Sequence, residues 1–157
     1  MGLTFSKNTQ QKIDKLLTQY PTTQAACLPV LFLAQEEFGY ISKEAMEAVA
    51  EALSISNAHV YGVATFYTMY NKEPVGKYHI QVCQNLTCCI MNGEKIQEHL
   101  KKRLALNYGE TTQDGKFTLS AVECLASCGT APMMQINKTY YENLTPEKVD
   151  EILETLK

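Results

Sequence analysis

The sequence predicts an α+β protein in which an N-terminal helical bundle is followed by a domain built around a β-sheet. Apolar residues recur at helical spacing through the first 75 residues, which indicates amphipathic helices. After residue 75, apolar and polar residues alternate in short runs, which is typical of strands. Since 157 residues are enough for two small domains, we place a helical domain at 1–75 and a second domain at 76–157.

The first two helices are predicted from apolar spacing and from the positions of proline. Apolar residues at helical intervals over 13–20 predict the first helix, and Pro21 ends it. The second helix is expected over about 23–38. Pro29 predicts either a kink in this helix or a start nearer Leu28, because proline is tolerated in the first turn but disrupts a helix interior.

Two serines mark the next two helices. Ser42 and Ser56 each precede a periodic apolar stretch, where a serine hydroxyl can accept a hydrogen bond from a free backbone N–H. The aromatic residues Phe66, Tyr67 and Tyr70 are expected in the core, although some could mark a docking face. The Asn-Lys-Glu-Pro-Val-Gly segment that follows them is the expected linker.

The second half alternates between strands and helices. Strand periodicity covers 78–82 and 117–121, and each strand runs toward a cysteine pair. Helical spacing joins 96–104, and a Thr-Pro pair at 145–146 is a strong helix start. With a hairpin around 137–138, the order is β-α-β-β-β-α, which suits a thioredoxin-like sheet covered by helices.

Four cysteines form two pairs, and each pair follows a predicted strand. Cys83 and Cys88 are separated by four residues, and Cys124 and Cys128 by three. Four thiolates can hold a 2Fe-2S cluster, with two on each iron, or a structural zinc ion. Thiol–disulfide chemistry and unligated core cysteines are further alternatives, and the absence of a C-x-x-C motif weakens the first of these.

The remaining two cysteines are expected to have structural roles. Cys89 adjoins Cys88, and neighbouring side chains diverge, so we expect Cys88 to be the ligand and Cys89 to pack. Cys27 lies in an apolar stretch and is expected to be a small core residue. A nucleophilic cysteine would need a base, and no histidine has an evident partner, so we assign no catalytic residue.

Composition and motifs exclude several classes of function. The net charge of −3 provides no basic surface for nucleic acid, so no nucleic-acid partner is expected. No apolar run approaches the roughly 18 residues of a membrane span, and the N-terminus lacks the pattern of a secretory signal. The glycine motifs of dinucleotide and nucleotide sites are also missing.

Several segments closely resemble the small thioredoxin-like 2Fe-2S subunit of respiratory complex I. They lie across nearly the whole chain, at 33–40, 63–70, 74–78, 109–112, 114–117, 122–125, 131–132 and 144–147. The resemblance implies a thioredoxin-like 2Fe-2S ferredoxin domain at 76–157 and a docking role for the N-terminal helices. The cluster ligands of that family fall on Cys83, Cys88, Cys124 and Cys128.

The resemblance implies a non-catalytic electron-transfer subunit of an NADH:quinone oxidoreductase. Its 2Fe-2S cluster would exchange one electron with FMN during NADH oxidation. FMN and NADH would be bound by a partner flavin subunit, and further Fe-S subunits would complete the complex. The implied location is peripheral, on the cytoplasmic side of the inner membrane, or on the matrix side in a mitochondrion. Alternatives are the equivalent subunit of an NAD-linked hydrogenase, possibly electron-bifurcating, or of a formate dehydrogenase, and a free-standing thioredoxin-like ferredoxin.

The second cysteine pair departs from the family pattern at one position. Ala126 stands where the family usually has glycine, and alanine costs about 1 kcal/mol if that position has a positive φ. Ser127 could donate a hydrogen bond to a sulfur. Together with Gly129 and Pro132, Ala126 is expected to shape this loop.

Overall fold

The computed structural model describes residues 2–156 and consists of two compact units, Met1–Pro74 and Val75–Lys157. Each unit has its own hydrophobic core, and each is described by itself. No helix within the described range is both long and apolar enough to cross a membrane.

The first unit is helical, and serine side chains begin three of its helices. Its α-helices are α1 (Lys7–Leu17), α2 (Cys27–Phe38), α3 (Lys43–Leu53) and α4 (Asn57–Phe66). The hydroxyls of Ser6, Ser42 and Ser56 each accept a hydrogen bond from the backbone N–H three residues later, at 3.3, 3.1 and 3.3 Å. The two predicted serine caps are therefore confirmed, and each satisfies one N–H that the first turn leaves free.

The first two helices differ from their predicted bounds. Helix α1 ends at Leu17, so Tyr20 lies beyond it with 36% of its surface exposed. A 3₁₀ turn precedes α2, which starts at Cys27 and is followed by Gly39 with a φ of 85°. Pro29 therefore lies in the first turn of α2, where backbone N–H groups have no partner within the helix, and it causes no kink.

The three aromatic residues near the end of α4 have different environments. Tyr70 is 1% exposed, and its hydroxyl donates a hydrogen bond of 2.9 Å to the backbone carbonyl of Leu28. Phe66 is 77% exposed, so its predicted place in the core is wrong. Helix α4 buries Val60 and Ala64, and Phe66, at the next position but one after Ala64, leaves that face of the helix.

The second unit is a mixed sheet with helices. Its elements are β1 (Tyr78–Cys83), α5 (Leu86–Ile90), α6 (Gly93–Leu104), β2 (Phe117–Val122), β3 (Met134–Ile136), β4 (Thr139–Tyr141) and α7 (Pro146–Thr155). The strand order is β2-β1-β3-β4. Strands β1 and β2 are parallel, and β3 pairs antiparallel with both β1 and β4. The predicted α+β class and the predicted hairpin are confirmed.

Alternation along the strands separates a core face from a polar face. Ile80 and Val82 of β1 and Leu119 of β2 are at most 1% exposed and belong to the core that α6 and α7 help to form. His79, next to Ile80 in β1, instead shares a 2.9 Å hydrogen bond with Ser120 on the other face. The sheet thus presents its apolar face to the helices, as the period of two requires.

Candidate metal centre

The sheet brings the two cysteine pairs to one edge. Cys83 is the last residue of β1, and its register partner Val122 is the last residue of β2. Because the two strands are parallel, the segments that leave them start side by side. Cys88 lies in α5 shortly after β1, and Cys124 and Cys128 lie in the segment after β2.

The two pairs differ in burial. Cys83 and Cys88 are 3% and 2% exposed and pack with Ala131 and Met133 in a small apolar cluster. Cys124 and Cys128 are exposed. The first pair therefore lies on the protein side of the site, and the second pair lies on its solvent side.

Contacts among the thiols show that the four cysteines form one cluster. Burial raises the pKa of Cys83, but the backbone N–H groups of Asn85 and Leu125 and contacts with the Cys88 and Cys124 thiols hold that pKa below its ordinary value. Hydrogen-bond donors around a sulfur favour the thiolate, which is the form that binds metals.

Cys88 shows the electrostatic cost of this arrangement. Burial, the contact with the Cys83 thiol and the negative charges of Cys83 and Cys128 raise its pKa to about 11, against the backbone N–H of Met133, which lowers it. Thiolates this close repel one another, so they ionise together only where a cation compensates their charge. Between residues 2 and 156, however, no three His, Cys, Asp or Glu side chains converge on the position of a single metal ion.

Gly93 fixes the position of Cys88 through close backbone packing. Helix α6 starts against the Cys88 backbone, and a Cβ at Gly93 would lie 2.6 Å from the Cys88 carbonyl oxygen and 2.8 Å from its carbon. Real Cβ atoms do not approach backbone atoms this closely, so only glycine fits without displacing Cys88. Sequence reasoning missed this residue, and a glycine shortly after a candidate ligand was its only signal.

The loop of the second pair has the strained conformation that its alanine implied. Ala126 has a φ of 58°, in the left-handed region, and its N–H donates a hydrogen bond of 3.2 Å to the Cys124 sulfur. This conformation costs a non-glycine residue about 1–2 kcal/mol. Ser127 does not donate to a sulfur as predicted, because its hydroxyl is directed to the carboxylate of Glu142.

The remaining two cysteines lie outside the cluster of thiols. The Cys89 thiol donates a hydrogen bond of 3.3 Å to the backbone carbonyl of Gln84, within the first cysteine segment. Cys27 is 2% exposed in the core of the first unit, where burial raises its pKa. Both positions agree with the packing roles predicted for them.

Comparison with known proteins identifies relatives over nearly the full length of the chain. The family described as thioredoxin-like 2Fe-2S ferredoxin matches residues 13–157. A subunit of the NADH-quinone oxidoreductase of Rhizobium meliloti is 39% identical, covering 94% of this chain and 88% of the relative. The NADH-quinone oxidoreductase subunit that bears the same letter in Rickettsia conorii is 42% identical, covering 99% and 95%.

A solved structure shares the fold. A chain of an NAD+-reducing NiFe hydrogenase in the air-oxidised state aligns with 83% of this chain at a TM-score of 0.72 and 20% identity. The aligned part is 22% of the hydrogenase chain, so this chain spans about a fifth of its length.

The packing of Gly93 predicts a large effect of one added methyl group. Gly93→Ala should lower the free energy of unfolding by about 1–3 kcal/mol, because the Cys88 backbone must move. Urea denaturation of the metal-free chain measures this change. Gly129→Ala is the matched control, since a Cβ at Gly129 meets no atom within 4 Å. Equal stabilities of the two variants would contradict the close approach.

The conformation of Ala126 predicts that glycine stabilises this loop. Ala126→Gly should raise the free energy of unfolding by about 1 kcal/mol, since glycine adopts a positive φ without strain. Ala121 lies in β2, without a positive φ, so Ala121→Gly should lower stability by about 0.5–1 kcal/mol. A loss of stability in Ala126→Gly, measured in the same denaturation series, would show that the alanine is not strained.

Proposed function

Because the chain belongs to the thioredoxin-like 2Fe-2S ferredoxin family, we propose that Cys83, Cys88, Cys124 and Cys128 bind one 2Fe-2S cluster. The observation that carries this proposal is the meeting of two thiol pairs at the carboxyl ends of two parallel strands. A 2Fe-2S cluster takes two thiolates on each of its irons, and its positive iron compensates the repulsion among them. The soft thiolate donor set fits that chemistry.

We propose that the chain is an electron-transfer subunit of an NADH:quinone oxidoreductase. The names of relatives that are 39% and 42% identical over most of both chains support this function. When bound, the cluster supplies a one-electron redox centre. The chain's own residues supply four sulfur ligands and backbone N–H donors to Cys83 and Cys124, and none is assigned a catalytic role. Complete activity is therefore not expected of this chain alone.

The proposed partners follow from this function. A flavin subunit would bind FMN and NADH, and the cluster held by this chain would exchange one electron with the FMN. Further Fe-S subunits would complete a peripheral complex on the cytoplasmic side of the inner membrane, or on the matrix side in a mitochondrion. The equivalent subunit of an NAD-linked hydrogenase or formate dehydrogenase is the second candidate, which the fold shared with the NAD+-reducing hydrogenase favours.

The helical unit is proposed to bind the flavin subunit. A free-standing ferredoxin does not need a separate unit of 74 residues with its own core. Its most exposed large apolar side chains are Phe66 and Tyr61 of α4, at 77% and 61%. Large exposed apolar side chains that lie close together are typical of protein–protein contacts.

Metal analysis combined with serine substitutions tests the cluster. The anaerobically purified chain should contain two irons and two acid-labile sulfides and no zinc, with an EPR signal after reduction. Substitution of Cys83, Cys88, Cys124 or Cys128 by serine should abolish this signal or change it, because serine oxygen is a harder and poorer ligand for iron.

The remaining cysteines are the controls for this series. Cys27→Ser and Cys89→Ser should retain the iron, the sulfide and the wild-type spectrum, and a serine hydroxyl at 89 can still donate to the Gln84 carbonyl. Loss of the cluster in Cys89→Ser would assign the wrong neighbour as the ligand. One zinc without sulfide in the wild-type chain would refute the electron-transfer function.

The role of the helical unit predicts a separate phenotype. The full chain should co-purify with the flavin subunit of its own organism, and Tyr61→Ser combined with Phe66→Ser should weaken this binding roughly tenfold or more. Tyr20→Ser is the control, because Tyr20 is partly exposed outside α4. A wild-type chain that carries a cluster and never binds a flavin subunit would instead indicate a free-standing ferredoxin.

A further inference from the structure

The segment that carries Cys124 and Cys128 has little apolar packing. Both cysteines are exposed, and Leu125 is the residue between them that packs against the buried cluster around Cys83 and Cys88. Ala126, in the middle, is exposed and adopts a costly backbone conformation. The position of this segment therefore depends on polar contacts.

Those contacts come from two residues at the end of the edge strand β4. The Tyr140 hydroxyl donates a hydrogen bond of 2.9 Å to the backbone carbonyl of Leu125, although 47% of its side chain is exposed. The Glu142 carboxylate accepts hydrogen bonds from the Ser127 hydroxyl and, at 2.7 Å, from the Thr130 hydroxyl. Together these contacts span the segment from just after Cys124 to just beyond Cys128.

The spacing of the contacts shows why β4 can make both. Tyr140 and Glu142 are two residues apart in extended chain, so their side chains project to the same side. Their partners Leu125 and Ser127 are also two residues apart. The end of β4 therefore runs along the cysteine segment and contacts it at matching intervals.

Glu142 is itself held in place. The Lys148 ammonium donates a hydrogen bond of 2.6 Å to the Glu142 backbone carbonyl, and the Asn143 N–H donates one of 2.7 Å to the Thr130 carbonyl. The Ser127 and Thr130 hydroxyls lower the pKa of Glu142, so its carboxylate is an acceptor at neutral pH. This acceptor is thus anchored from both the strand and the start of α7.

We propose that Tyr140 and Glu142 are positioning residues that hold Cys124 and Cys128 in the arrangement that the cluster requires. This inference rests on the proposed function, because it concerns ligands of the proposed cluster. The two residues contact no cysteine, so they act through the backbone of Leu125 and the side chains of Ser127 and Thr130. Their loss lets the exposed pair open while the buried pair stays in place.

The rate of cluster loss tests this proposal on the full chain. With an iron chelator added anaerobically, visible absorption should decay about fivefold faster in Tyr140→Phe and about tenfold faster in Glu142→Ala than in the wild type. Glu142→Gln should recover part of the difference, since its amide oxygen can still accept. The EPR g values of Glu142→Ala should also shift, a change that a merely structural role would not cause.

Two residues of the same unit supply matched controls. The Tyr108 hydroxyl donates a hydrogen bond of 2.8 Å to the side chain of Gln97, and the Glu110 carboxylate accepts one of 2.6 Å from the Asn107 backbone. Tyr108→Phe and Glu110→Ala remove the same chemistry away from the cysteines. Both should lose the cluster at the wild-type rate, and a rate raised as much as in the β4 variants would overturn the proposal.

Amide hydrogen exchange separates this inference from the proposed function. In the metal-free chain, the amides of 124–130 should exchange faster in Tyr140→Phe and Glu142→Ala than in the wild type. Unchanged exchange and unchanged cluster loss would refute the positioning role. A wild-type chain without iron and sulfide would refute the proposed function, and the exchange measurement would still test the contacts made by β4.

Discussion

Electrostatic repulsion among thiolates is the constraint on which the rest of this structure depends. The sheet places four cysteines at one edge, where the ionisation of Cys83 raises the pKa of Cys88. Such a group is stable in its metal-binding form only with a cation among the sulfurs, and the fold must hold the sulfurs together until one arrives. The parallel pairing of β1 with β2, the close packing of Gly93 and the hydrogen bonds from β4 all serve this task.

The two cysteine pairs solve this problem by different means. Cys83 and Cys88 are buried on regular elements, and backbone packing leaves them little freedom. Cys124 and Cys128 lie on an exposed segment whose position depends on the side chains of Tyr140 and Glu142. Apolar burial tolerates few rearrangements, whereas single hydrogen bonds of exposed groups are weak. The rigidity of the site therefore decreases from the protein interior toward solvent.

Local sequence signals predict most of the elements, because caps and periodicity depend on few neighbouring residues. The helices after Ser42 and Ser56 and the strands before both cysteine pairs are confirmed. Helix α5 was missed because five residues give no periodic signal. The roles of Gly93 and Glu142 and the exposure of Phe66 depend on contacts between elements, which periodicity does not report. The ligand set itself stays a prediction from spacing and resemblance.

The register of β1 with β2 has a consequence for how the protein is made. Paired residues in these strands, such as Tyr78 and Phe117, are 39 positions apart, and the crossover between them contains α5 and α6. The two cysteine pairs therefore meet only after this non-local pairing has formed, late in folding and after the ribosome has released β2. In a zinc knuckle, by contrast, nearby ligands let the metal organise the chain. Here metallation must follow folding, so the nascent protein passes through a stage with four clustered free thiols that are open to oxidation.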